Sequence, residues 1–175
     1  EQEVLKRTQN SRNGQFVKIQ HNPPQQFTVG NGKLSHPPVI VGFGPAGMFA
    51  GLALARMGYC PVILERGADV DNRVEAVQQF WKERKLSTES NVQFGEGGAG
   101  TFSDGKLTTG IKDYRKQFVL NTFYEHGASE DILYLNKPHL GTDVLIDVVK
   151  NIRKDIEKCG DVRFETKLVD IIIED

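Results

Sequence analysis

Val39-Ile40-Val41-Gly42-Phe43-Gly44-Pro45-Ala46-Gly47-Met48-Phe49-Ala50-Gly51-Leu52 decides the fold. A short apolar, β-branched run is the pattern of a strand buried on both faces. It runs straight into Gly42, Gly44 and Gly47, spaced as GxGxxG, and Gly51 extends the series. A helix is expected next, with Pro45 in its first turn, Met48, Phe49, Leu52 and Met57 as apolar positions, Arg56 in the last turn and Gly58 as the stop. Pro61-Val62-Ile63-Leu64-Glu65 reads as the second strand. Its terminal acid lies 23 positions after Gly42, near the ~20 of a dinucleotide fingerprint. Gly42 permits the tight turn, and Gly44 lets backbone approach a pyrophosphate with no Cβ in the way. Gly47 and Gly51 allow the helix to pack closely on the strand. The helix start at Pro45, Ala46 and Gly47 offers N–H groups and partial positive charge to that pyrophosphate. The Glu65 carboxylate can accept both ribose hydroxyls of an adenosine and would repel a 2′-phosphate, which disfavours NADP here.

Outward from this unit the signals stay regular downstream. Asp69 or Asp71 can cap a helix carrying Val70, Val74, Val77 and Trp81, a face read as core. Residues 95–110 are too rich in glycine for regular structure. Helices are expected over 113–126, over 129–135, and from Gly141-Thr142 to a stop at Gly160, the last with Leu145, Val148, Val149, Ile152 and Ile156 on one face. Val162-Arg163-Phe164 is a third strand and residues 168–173 a fourth. The order gives an α/β fold, a Rossmann-like domain with a parallel sheet and flanking helices, incomplete within this chain. Upstream, residues 1–37 differ: the first 38 residues hold ten Asn or Gln, turn signals, and one weak strand at 16–19. They read as a linker or the tail of an upstream domain, with the dinucleotide domain over 38–175, and the absence of a starting Met suits a processed piece.

Composition narrows the classes of function. The 175 residues are 38% apolar and 26% charged, with 22 Lys plus Arg against 23 Asp plus Glu, a net charge of -1. That balance argues against nucleic acid or a polybasic membrane surface as partner. No apolar run approaches a membrane span, so a soluble, cytoplasmic protein is the expectation. Cys60 and Cys159 are distant in sequence and form no CxxC pair. Neither a disulfide framework, a redox disulfide nor a zinc site is expected.

The second glycine-rich stretch separates the cofactors. Asn91-Val92-Gln93-Phe94-Gly95-Glu96-Gly97-Gly98-Ala99-Gly100-Thr101-Phe102-Ser103-Asp104-Gly105-Lys106 can form an anion nest or pass close to a flat ligand. A simple NAD domain rarely needs such an excursion between its second and third strands, whereas FAD needs extra backbone along its second phosphate, ribityl chain and isoalloxazine. An NAD-binding dehydrogenase domain and a nucleotide-binding module without turnover are the alternatives. Residues 38–67 resemble the FAD domain of two-dinucleotide-binding flavoproteins. Glu65-Arg66-Gly67, Arg73, Phe80-Trp81, the stretch 91–107 and Lys137-Pro138-His139-Leu140-Gly141-Thr142-Asp143 resemble, more narrowly, the bacterial NAD/FAD-utilising dehydrogenases. The resemblance covers about residues 38–173. It implies an FAD-dependent oxidoreductase with noncovalent FAD, with NAD(P)H as a candidate electron partner and a small-molecule substrate that the sequence does not name. By the same resemblance Arg66 belongs to the cofactor-binding motif, Gly97 and Gly98 flank the pyrophosphate, Arg73 contacts phosphate, and Leu168 presents backbone to adenine.

Thr101 and Ser103 are candidate donors to FAD. His139 is the best-placed histidine for proton transfer, although a structural role before the helix is favoured. Lys106 and Asp104 could act on a reduced flavin or a substrate, against the simpler reading of solvated loop charges. No catalytic residue is assigned, since flavin N5 itself takes the hydride. The run 168–173, an apolar strand with no later strand to pair with, implies that regions of the protein's own chain complete the sheet and the flavin wall. Its bare edge is a route to self-association.

Overall fold

Three parallel strands, β1 (Val39–Val41), β2 (Val62–Leu64) and β3 (Asp161–Arg163), pair in the order β1-β2-β3, with Ile40 opposite Ile63 and Ile63 opposite Val162. The computed structural model describes residues 27–174 except Ser103, Asp104, Lys112 and Asn136. The weak strand read at 16–19, most of the linker segment, and candidates Ser103 and Asp104 lie outside the described residues. Residues 27–38 carry no helix or strand, and Phe27 packs edge-on against Phe118.

Helix α1 (Pro45–Arg56) follows β1, α2 (Val70–Glu83) follows β2, and α3 (Arg115–Glu125) and α4 (Thr142–Ile156) precede β3. Between them lie two 3-10 turns, Gly98–Phe102 and Glu130–Leu133. The first places regular structure inside a segment too glycine-rich to predict any. The second is the short helix expected over 129–135, tightened to one turn. The architecture is α/β with flanking helices, compatible with a Rossmann-like fold. Among the described residues no helix is long and apolar enough to cross a membrane.

The core lies between the sheet and α1, α3 and α4. Phe43, Leu52, Ile63, Val148, Ile152 and Ile156 are buried in it, and the half-buried Ile40 and Val162 pack against them. Gly51 is what brings α1 down onto the sheet, because a Cβ there would stand 2.5 Å from Ile63 Cδ1. Gly47 does the same at the helix start, where a Cβ would collide with the Gly42 carbonyl oxygen.

Three expectations are corrected. β1 is not buried on both faces: Ile40 turns to the core, while Val39 and Val41 on the other face are 61% and 58% exposed. The core helices pack on the Ile40 side alone. Residues 168–173 form no strand, and Ile171, Ile172 and Ile173 stand exposed. β-branched residues favour strands only where a neighbour supplies ladder bonds and side-chain pairs, and no described strand lies beside them. Trp81 is not core but 61% exposed. The buried stripe of α2 is Val70, Arg73 and Val77, so the helix is turned to bring Arg73 inward, and Trp81, one turn beyond Val77, leaves the interior.

Candidate functional site

The ends of β1 and β2 and the segment after β3 open on one cleft of about 330 Å³. It is lined by Gly42, Gly44, Glu65, Gly95 and Gly98, and further out by Arg66, Phe94, Thr166, Lys167 and Leu168. The carboxyl ends of parallel strands are where open α/β sheets bind ligands. The turn out of β1 needs Gly42 at φ +92, a left-handed conformation. No side chain caps α1, and Pro45 occupies its first turn. The N–H groups of its first turn therefore emerge beside Gly44.

Glu65 sits at the back of the cleft, 4% exposed. One oxygen accepts from Phe43 N–H at 2.7 Å, and the other from Gly67 N–H at 2.8 Å and Gly95 N–H at 3.2 Å. This carboxylate thus ties the β1 turn, the end of β2 and the second glycine loop to one point. A carboxylate has about four acceptor sites, and three are taken. One acceptor site remains, where the sequence reading needs two.

The second glycine loop is pressed onto the first. Gly97 N–H donates to Phe43 O at 2.9 Å and Glu96 N–H to Ala68 O at 3.0 Å. A Cβ on Gly98 (φ +64) would lie 3.1 Å from Gly44 Cα. The N–H groups from Gly95 to Gly98 are all bonded within the protein, so these four residues form no open anion nest, one of the two readings given for the stretch 91–106. These glycines serve close approach and left-handed backbone instead.

Arg73 holds the loop from beneath. Its guanidinium, wholly buried, donates to Asn91 O at 2.8 Å, Val92 O at 2.9 Å and Glu96 O at 2.6 Å, and lies over the Phe102 ring. Burial pulls it down to about 10 against the opposing pull of Glu65 and Glu96, so it remains a cation at neutral pH. The structure therefore turns the expected phosphate contact into a carbonyl clamp that moulds the loop. Thr101 is likewise buried and directs its hydroxyl to Glu96 O at 3.5 Å, away from the donor role read for it.

Glu96 was not singled out from the sequence. It is wholly buried, accepts from Val70 N–H at 2.7 Å, and pairs with Arg153 of α4 at 2.9 Å with the N–H out of line for a hydrogen bond. Burial pushes its carboxyl above the usual range, opposed by the Val70 amide and Arg153. No local signal marks it, because its partners Val70 and Arg153 lie 26 and 57 positions away in sequence.

At the mouth, Arg66 pairs with Glu89 at 2.6 Å and covers the Phe94 ring at 4.1 Å. The Arg66 hydrogen bond holds the Glu89 carboxyl below its usual range. Leu168 lines the outer wall, half exposed. His139 and Lys106 face each other across an isolated antiparallel bridge, both exposed and outside the cleft lining. Among the described residues no group of three or more His, Cys, Asp or Glu could hold a metal ion.

No family model matches the chain. An uncharacterised protein of Clostridium beijerinckii is 56% identical over 152 residues, which are 86% of this chain and 28% of that protein. The chain thus spans less than a third of the relative it matches.

Proposed function

We propose that this chain forms the adenine-dinucleotide-binding part of an FAD-dependent oxidoreductase. The observation that carries the reading is the cleft at the strand ends, floored by glycines of two separate loops in contact with each other. Gly42 has no atom within 4 Å of where its Cβ would stand, and Gly44 meets only Gly98 Cα at 3.8 Å. That open floor, beside the first turn of α1, suits a pyrophosphate. Glu65 has one acceptor site left for a ribose hydroxyl, and the wall of Thr166, Lys167 and Leu168 suits the adenine beyond it. The volume is at the low end of the ~300–1,000 Å³ of ligand sites, matching the ADP half of the cofactor rather than the whole. Bound flavin would supply hydride transfer. The residues of this chain bind and orient it.

The test is to purify the protein, denature it, and identify any released nucleotide by absorbance and mass. FAD is the expected product. Release of NAD would instead make the chain an NAD-binding dehydrogenase domain. No released nucleotide, together with no binding of FAD or NAD by calorimetry, would overturn the reading.

A further inference from the structure

The two cysteines, distant in sequence, meet at the opposite end of the sheet from the cleft. Val62 pairs with Asp161, and Asp161 N–H donates to Pro61 O at 2.9 Å. A Cβ on Gly160 would stand 2.7 Å from Pro61 O. Continued one step further, this register sets Cys60, just before β2, beside Cys159, just after α4. A disulfide bridges Cα atoms roughly 4.4–6.8 Å apart, and the bond between Asp161 N–H and Pro61 O holds the two segments side by side at the next residue along each. Burial raises the Cys159 thiol, and the neighbouring Cys60 thiol raises it further; the Cys60 thiol itself points to Gly58 O at 3.9 Å. Cys60 adopts φ +44, a left-handed conformation uncommon for its residue type. Both thiols are free, Cys159 exposed and Cys60 partly so.

We propose that Cys60 and Cys159 are a redox-modification site, closing a reversible intrachain disulfide between the amino-terminal ends of β2 and β3. The oxidant is a low-molecular-weight disulfide. The thiolate of Cys159, the more exposed of the two residues, attacks one of its sulfurs, forming a mixed disulfide and expelling one small thiolate. The Cys60 thiolate then attacks the Cys159 sulfur, forming the intrachain bond and expelling the second. Two protein thiols are oxidised, the small disulfide is reduced to two thiols, and the two protons leave to solvent or to those thiolates. The raised Cys159 thiol makes the first step slow at neutral pH, since the thiolate is the nucleophile. The site lies outside the cleft and does not depend on which nucleotide binds there.

The reduced protein is incubated with excess oxidised glutathione at mildly alkaline pH, alkylated, digested with trypsin and mapped by mass. The expected product joins peptides 57–66 and 159–163, two hydrogen atoms lighter than their sum, carries no glutathione, and reverts with dithiothreitol. In the Cys60→Ser variant, glutathione should be retained on Cys159, because no second thiol displaces it. Retained glutathione on the unaltered protein, both cysteines alkylated, or 159–163 joined to a second copy of itself would each overturn the proposal.

Discussion

Glu65→Gln is the sharpest test of the cleft, because it keeps the shape of the side chain and removes half of its accepting capacity. In the structure one oxygen serves Phe43 and the other serves Gly67 and Gly95. An amide can turn its oxygen to one side only, and its NH2 then faces an N–H on the other. A hydrogen bond to a charged acceptor contributes about 1.5–3 kcal/mol, so Glu65→Gln should cost at least that much. Glu65→Ala strands all three buried amides but also removes the cost of burying the charge, and should lose about 3–5 kcal/mol. Both are large beside a total stability of roughly 5–15 kcal/mol. Urea unfolding followed by far-UV circular dichroism measures them directly. Nucleotide affinity, read by calorimetry below the unfolding transition, should fall in parallel, because the same carboxylate sets the β1 turn. A Glu65→Gln protein with unaltered unfolding midpoint and affinity would refute the role of Glu65 as the joint of the two loops.

Gly98→Val, at φ +64 and 3.1 Å from Gly44 Cα, should abolish flavin retention, measured as flavin released per chain. Gly97→Val should act through the fold instead, since its side chain meets Thr101 and Val149; a loss of about 1–3 kcal/mol in urea unfolding is expected. Asp69 accepts from the Asp71 and Asn72 amides at the start of α2, and Asp69→Ala should cost about 0.5–2 kcal/mol in the same assay. Burial opposes ionisation of Asp155, but Lys158, His126 and Arg56 outweigh it and hold its carboxyl below the ordinary 3.8. A depressed folded value means that this stabilisation is complete above 3.8 and lost as pH falls through the folded value. Unfolding midpoints should therefore decline on the acid side less steeply in Asp155→Asn than in the unaltered protein.

The βαβ start of the fold was legible because each of its parts is local: a strand, three spaced glycines, a Pro in the first turn, an acid at the next strand end. So was the Gly58 stop, and of the two capping candidates, Asp69 and Asp71, the structure uses Asp69; the last helix ends at Ile156, before the Gly160 expected to stop it. What periodicity could not read was partners. The Val70-Val74-Val77-Trp81 pattern and the Val70-Arg73-Val77 pattern are adjacent stripes of one helix. The choice between them rests on carbonyls at residues 91, 92 and 96, which accept from Arg73. The same holds for residues 168–173, whose composition favours a strand but whose pairing depends on a neighbour. Spacing sets Glu65 at the end of β2, yet its bond from Gly95 N–H crosses 30 positions of sequence that no local motif spans.

The clamped second loop has a thermodynamic consequence. With Gly95, Glu96 and Gly97 bonded to Glu65, Ala68 and Phe43, the floor of the cleft is shaped during folding rather than by the arriving molecule. Binding there need not order a loop, so little of its intrinsic affinity is lost to conformational entropy. Association should proceed without a slow rearrangement. Its heat-capacity change should reflect only the ligand surface covered, without the larger signature of a segment that folds as it binds.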